Sequence, residues 1–195
     1  MALTLAKSQT ISLEKTAGSS LATISLGLGW DAVKSSFFGK LMGAGGEIDL
    51  DASCILLDED LIAMDLVWFR QLKSRDGSIK HSGDNRTGEG EGDDESIAVD
   101  LRQLPAAVKH LVFTVNSFTG QTFEKVDNAY CRIVDAARNQ ELARFNLSEK
   151  GQHTGIVMAS ISRGSTGWDF KAIGVSTHGR TADDLIKLAI DAVRA

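Results

Sequence analysis

The sequence predicts a mainly β fold: an antiparallel β-sandwich of about ten strands, with one short helix and one C-terminal helix. Three observations carry this. Apolar and polar residues alternate in short runs, which is the two-residue period of half-buried strands. Gly, Asn and Asp punctuate the runs as turn residues do. Most gaps between runs are too short for the helical crossovers that a parallel sheet needs.

Taken in order, "TISLEK" puts Ile11 and Leu13 on one face, and "ATISLGL" does the same for Ile24, Leu26 and Leu28. In "EIDLDASCILL", Ile48 and Leu50 point to the core, while Asp49 and Asp51 share the opposite face. "MDLVWF" is followed by "SIAVDL", with Ile97, Val99 and Leu101 aligned, and by "HLVFTV", with Leu111, Phe113 and Val115 aligned. "AYCRIV", "ELARFNL", "IVMASIS" and "WDFKAIGV" complete the strand series. "TFEKVDN" predicts the short helix. "TADDLIKLAIDAV" predicts the C-terminal one: Thr181 caps it and Asp183 and Asp184 suit its first turn. Ala182, Leu185, Ile186, Ala189, Ile190 and Val193 form an apolar stripe that docks on the strands.

The chain of 195 residues is 43% hydrophobic and 24% charged, as one soluble domain with a full core should be. Residues 1–195 are therefore expected to form a single domain. Cys54 and Cys131 lie in apolar alternating runs and read as buried free thiols. The first residues, "MALTLAKSQTISLEK", lack the apolar run of a signal peptide. No apolar run of membrane-spanning length follows, so a cytoplasmic location is expected.

The net charge of −5 is concentrated in one place. "GDNRTGEGEGDDE", residues 83–95, holds six carboxylates, four glycines and one arginine, and the rest of the chain has 20 acidic and 20 basic residues. No basic patch stands out to neutralise phosphates, so nucleic acid is not expected as a partner. Glycines alternating with acids let the backbone turn carboxylates inward, and Asp84 and Asn85 add oxygen donors. Clustered carboxylates call for a cation. Oxygen-only ligation selects a hard ion, and calcium accepts six to eight oxygens in flexible geometry. A helix–loop–helix calcium hand does not fit: aligned on Asp49, its glycine position falls on Cys54 within a strand pattern.

Catalytic motifs are missing. "GEGEGD" would repel phosphate, "GLGWDA" lacks the third glycine of a dinucleotide site, and no G-x-S-x-G or P-loop occurs. His81, His110, His153 and His178 have no zinc spacing. One further segment, "VKSSFFGKLMGAGGE" at residues 33–47, sets Phe37, Phe38, Leu41 and Met42 among lysines and glycines. It reads as a Gly-rich loop that either folds onto the body or contacts a partner or membrane surface.

"GLGWD", "DLDAS", "LKSRDGSIKHSGDNRTGEGEGDDESI", "VNSF", "NAYCRI" and "ARFNL" together resemble the TerD family of tellurium-resistance and stress-response proteins, over about residues 8–178. The insertion before "DLDAS" and the ending "ISRGSTGWDFKAIGVSTHGRT" look most like its TerZ branch. The resemblance implies a calcium-binding β-sandwich of the bacterial cytoplasm, taking two or more calcium ions. Carried over by position, it implies ligands at Asp49 and Asp51, at Asp84 and Asn85, and at Asp93, Asp94 and Glu95. Asp31 joins as a secondary member, and Glu89 and Glu91 line the mouth. It further implies a non-catalytic binding or signalling module in stress response, whose partners are other tellurium-resistance proteins, at the membrane surface in one version. A metal-dependent hydrolase or nuclease using His81 as base, and an interaction scaffold with purely structural calcium, are the alternatives.

Overall fold

The computed structural model describes residues 2–32, 49–83, 92–147 and 150–195. Twelve strands form two sheets of six. They are β1 (Leu3–Leu5), β2 (Thr10–Ser12), β3 (Thr23–Ala32), β4 (Leu50–Leu57), β5 (Ala63–Val67), β6 (Ile79–His81), β7 (Glu95–Asp100), β8 (His110–Ser117), β9 (Val126–Asp135), β10 (Gln140–Asn146), β11 (Gly155–Gly164) and β12 (Gly167–Thr177). Among the described residues, two α-helices, α1 (Leu13–Ala17) and α2 (Ala182–Arg194), accompany them. The first sheet runs β1-β10-β9-β3-β7-β6 and the second β2-β12-β11-β8-β4-β5.

The mainly β expectation holds, with differences that have local causes. Every pairing is antiparallel except β1 with β10, which is parallel, Leu3 lying opposite Ala143. Leu13 opens a helix instead of extending the strand before it. The Ser12 side chain accepts from Lys15 N, and Gly18 closes the helix in the left-handed region at φ 69°. "TFEKVDN" yields only a 3-10 turn at Phe123–Lys125 before β9 begins. β6 has three residues, too few to register as an alternating run.

Apolar side chains from both sheets form one cluster, including Leu26 and Trp30 of β3, Ile97 of β7, Cys54 of β4, Phe113 of β8 and Phe170 of β12. The other face of the second sheet is also covered. There Ile55, Leu57, Val112, Val157 and Ile173 pack with Ala189 and Ala192 of α2. This is why all eight residues of β4 are buried, Asp51 among them. The apolar stripe of α2 therefore docks on the second sheet, with Leu185 fully buried. At its start the Asp184 carboxylate accepts from the backbone N–H groups of Arg180 and Thr181 and from the Thr181 hydroxyl. Among the described residues, no helix is long and apolar enough to cross a membrane.

Candidate functional site

The described members of the predicted set, Asp31, Asp49, Asp51, Asp93, Asp94 and Glu95, lie at the end of the sheets where β3 and β6 finish and β4 and β7 begin. β3 and β7 run antiparallel with Leu28 opposite Glu95, so the residues just before β7 lie beside the end of β3. Backbone bonds then fix Asp94 twice. Its N–H donates to Leu28 O at 2.8 Å, and its Oδ2 accepts the Trp30 N–H at 2.8 Å. Partial burial, joined by repulsion from Asp31, Asp93 and Glu95, lifts the Asp94 carboxyl above its ordinary range, against the Trp30 hydrogen bond that holds it down.

Asp31 and Asp94 line one cleft, of about 720 Å³, with Trp30, Asp127, Asn128 and Tyr130 on the same rim. Asp31 lies opposite Asp127 in the ladder and its Oδ2 accepts from Asn128 Nδ2 at 2.7 Å. The far wall is cationic: Lys150 pairs with Asp127, and the Arg144 guanidinium stacks on Tyr130 at 4.1 Å.

Asp93 and Glu95 point elsewhere. Asp93 turns onto the outer side of the first sheet, where Arg132 donates to both of its oxygens at 2.8 and 3.0 Å and the Tyr130 hydroxyl donates at 3.1 Å. It lies flat on β3 because Gly27 has no side chain: a Cβ there would sit 1.9 Å from Asp93 Oδ2. Gly29 makes the same room for the Tyr130 ring. The cluster thus contains an arginine partner that the segment's own composition does not show.

Glu95 is buried between the sheets. Its Oε2 accepts the Ala52 N–H at 2.7 Å. His81 completes the contact: Gly83 N–H donates to Nδ1 at 3.0 Å, so the neutral ring carries its proton on Nε2 and donates to Ala52 O at 3.1 Å. β5 stops pairing with β4 at Cys54, and this side-chain pair satisfies the β4 backbone beyond it.

Asp51 faces the helix-covered side of the second sheet, 3% exposed. Asn116 lies opposite it, with Nδ2 3.5 Å from Asp51 Oδ2 and 2.7 Å from Arg180 O. Asp49 lies one residue before β4, half-buried. Asp84, Asn85, Glu89 and Glu91 fall outside the described residues, as does the loop at 33–47. Among the described residues, no three His, Cys, Asp or Glu side chains converge to hold a metal ion. The part of the predicted set that fits a hard cation is the oxygen-only pair Asp31 and Asp94 in their shared cleft. Asp127, Asn128, Tyr130 and Arg132 were missed by sequence reasoning. The paired glycines of "GLGWD" are the signal that points to them, since glycine inside a strand marks a close approach.

Residues 1–188 match the family profile described as the TerD domain. The chain is 50% identical over 192 residues to tellurium resistance protein TerZ of Serratia marcescens, covering 98% of both chains. It is 39% identical to stress response protein SCP2 of Bacillus subtilis (strain 168), covering 95% of this chain and 98% of that one. A crystal structure of a homologue of telluride resistance protein (TerD) from Streptomyces coelicolor A3(2) has the same fold, with a TM-score of 0.69 at 20% identity over 87% of this chain and 98% of that one.

Proposed function

This chain belongs to the TerD family of tellurium-resistance and stress-response proteins, and from that premise we propose that it is a cytoplasmic, non-catalytic calcium-binding module of that response. The observation that carries the reading is Asp94: a carboxylate held by the Trp30 N–H, sharing a cleft with Asp31, and raised in pKa by burial and by three neighbouring acids. A hard divalent cation relieves that repulsion.

In this reading Asp31 and Asp94 supply oxygens from the rigid end of the sheets, and Asp84 and Asn85 supply more from the acidic segment. Asp49 and Asp51 form the edge toward the second sheet. Bound calcium supplies positive charge and no covalent chemistry. The chain's own part is orientation: β3 and the start of β7 hold the Asp94 carboxylate in place through backbone bonds. The buried His81 ring, its nitrogens engaged with Gly83 and Ala52, supports the non-catalytic reading over the hydrolase alternative. Other tellurium-resistance proteins are the proposed partners, met through residues 33–47 and in one version at a membrane surface.

Calorimetric titration of chelator-stripped protein with calcium tests the proposal. Saturable uptake that Asp94→Asn weakens supports it. A flat titration of the unmodified chain removes it.

A further inference from the structure

Gly92, Asp93 and Asp94, the residues just before β7, are each tied down by hydrogen bonds from β3 or β9. Tyr130 donates its hydroxyl to Gly92 O at 2.8 Å and to Asp93 Oδ1 at 3.1 Å. Arg132 grips both Asp93 oxygens in a planar fork, while its remaining nitrogen reaches Glu141 Oε2 at 3.0 Å. Glu141 in turn is held by Arg144 through both oxygens, at 3.0 and 3.1 Å, and Arg144 caps the Tyr130 ring. Everything rests on β3 where Gly27 and Gly29 leave the backbone bare.

We infer that Arg132 is a positioning residue for the cation site: with Tyr130 and Gly27 it makes Asp93 an anchor, and the anchor aims the next residue, Asp94, into the cleft. This rests on the calcium reading for its ligand, and it departs from the carried-over ligand set in giving Asp93 a different task. The geometry separates the two tasks. Asp93 is taken up by Arg132 and Tyr130, while Asp94, held at its N–H by the Leu28 carbonyl and at its carboxylate by the Trp30 N–H, lines the cleft.

The two roles for Asp93 predict opposite signs when Arg132 is removed. If Asp93 were a ligand, Arg132 would be a competing cation, and Arg132→Met would tighten calcium binding on Coulomb grounds alone. If Asp93 is an anchor, Arg132→Met lets the Gly92–Asp94 corner drift and weakens binding by about tenfold or more, the usual loss when a ligand's supporting group is removed. Gly27→Ala provides a second route that alters no charge: its methyl takes the place of the Asp93 carboxylate and should weaken binding likewise. Arg132→Lys keeps the charge but loses the fork, so it should recover only part of the affinity.

The experiment pairs calcium calorimetry with amide hydrogen exchange on the calcium-free full chain, reading the Asp94 and Trp30 amides against those of Val112 and Phe113 in the second sheet. Weaker calcium binding in Arg132→Met and Gly27→Ala, with faster exchange confined to Asp94 and Trp30, is the result expected. Unchanged or tighter binding in Arg132→Met overturns the anchor. Unmodified protein that takes up no calcium overturns the calcium reading instead. In that case exchange decides the anchor alone: faster exchange at the two amides upholds it, and equal rates sink it.

Discussion

The Trp30 N–H and the Asp94 carboxylate meet at 2.8 Å, joining the end of β3 to the last turn of the acidic segment. The Asp94 carboxylate is therefore held by strand backbone, and ligand binding there should stabilise the whole fold. A ligand that binds only the native state adds about 2.7 kcal/mol at one hundred times its dissociation constant. For a domain of this size each kcal/mol moves the melting point by roughly 2–4 °C, so calcium at that level should raise it by about 5–11 °C. Magnesium should do less, since it dehydrates reluctantly. Asp94→Asn should remove most of the rise and Glu59→Gln, on an exposed turn, should leave it intact. Differential scanning calorimetry with and without chelator decides it; an identical rise in both variants places the site elsewhere.

Calcium affinity should depend on pH through Asp94. Its folded-state pKa is raised above the ordinary 3.8, so the folded form keeps this proton longer than the unfolded chain does. The contribution to stability is then fully present below the ordinary value and is lost as pH rises through the raised one. Calcium competes with that proton, so its affinity should climb over the same window. Titrations stepped upward from the ordinary carboxylate pKa check this, and Asp94→Asn should flatten part of the climb.

Glu95 should matter for stability with or without calcium. It satisfies the Ala52 N–H inside the fold, and Glu95→Ala leaves that donor without its acceptor. A loss of about 1–3 kcal/mol is expected from urea unfolding in chelator. Stability equal to that of the unmodified chain would mean that water replaces the carboxylate there.

Both cysteines should resist thiol reagents in the native state. Burial pushes the Cys131 thiol up to about 12, and burial followed by the nearby Asp65 pushes Cys54 up as well. Both are free and buried, so little thiolate forms near neutral pH. Labelling by a disulfide reagent should be slow until denaturant is added. Fast labelling of native protein would show that a thiol is reached by solvent without unfolding.

Strands with one apolar face were legible because their period is local: β7 alternates residue by residue, and β12 does so over its first half. What covers a strand's second face is not local. Asp51 was read on an open face, whereas α2 and the chain leading into it close that side of β4. The same limit applies to the site. Asp94 was legible as a member of the acidic segment and Asp31 only through the family resemblance, but Arg132 lies 39 positions from Asp93 and only the β3–β9 pairing brings it there. The glycines of "GLGWD" were tested as a nucleotide loop, while their task is to leave β3 bare for Asp93 and Tyr130.

The parallel partner of β1 is β10, and β2 joins β12, so both opening strands wait for the closing third of the chain. On a ribosome adding about 5–20 residues per second, Leu5 emerges on the order of ten seconds before Phe145, its partner in the ladder. During that interval the first residues have no sheet to join, and the central strands must assemble without them. The outer edges of the two sheets are thus completed by strands made long before their partners, and the nascent chain carries unpaired strand edges over that interval.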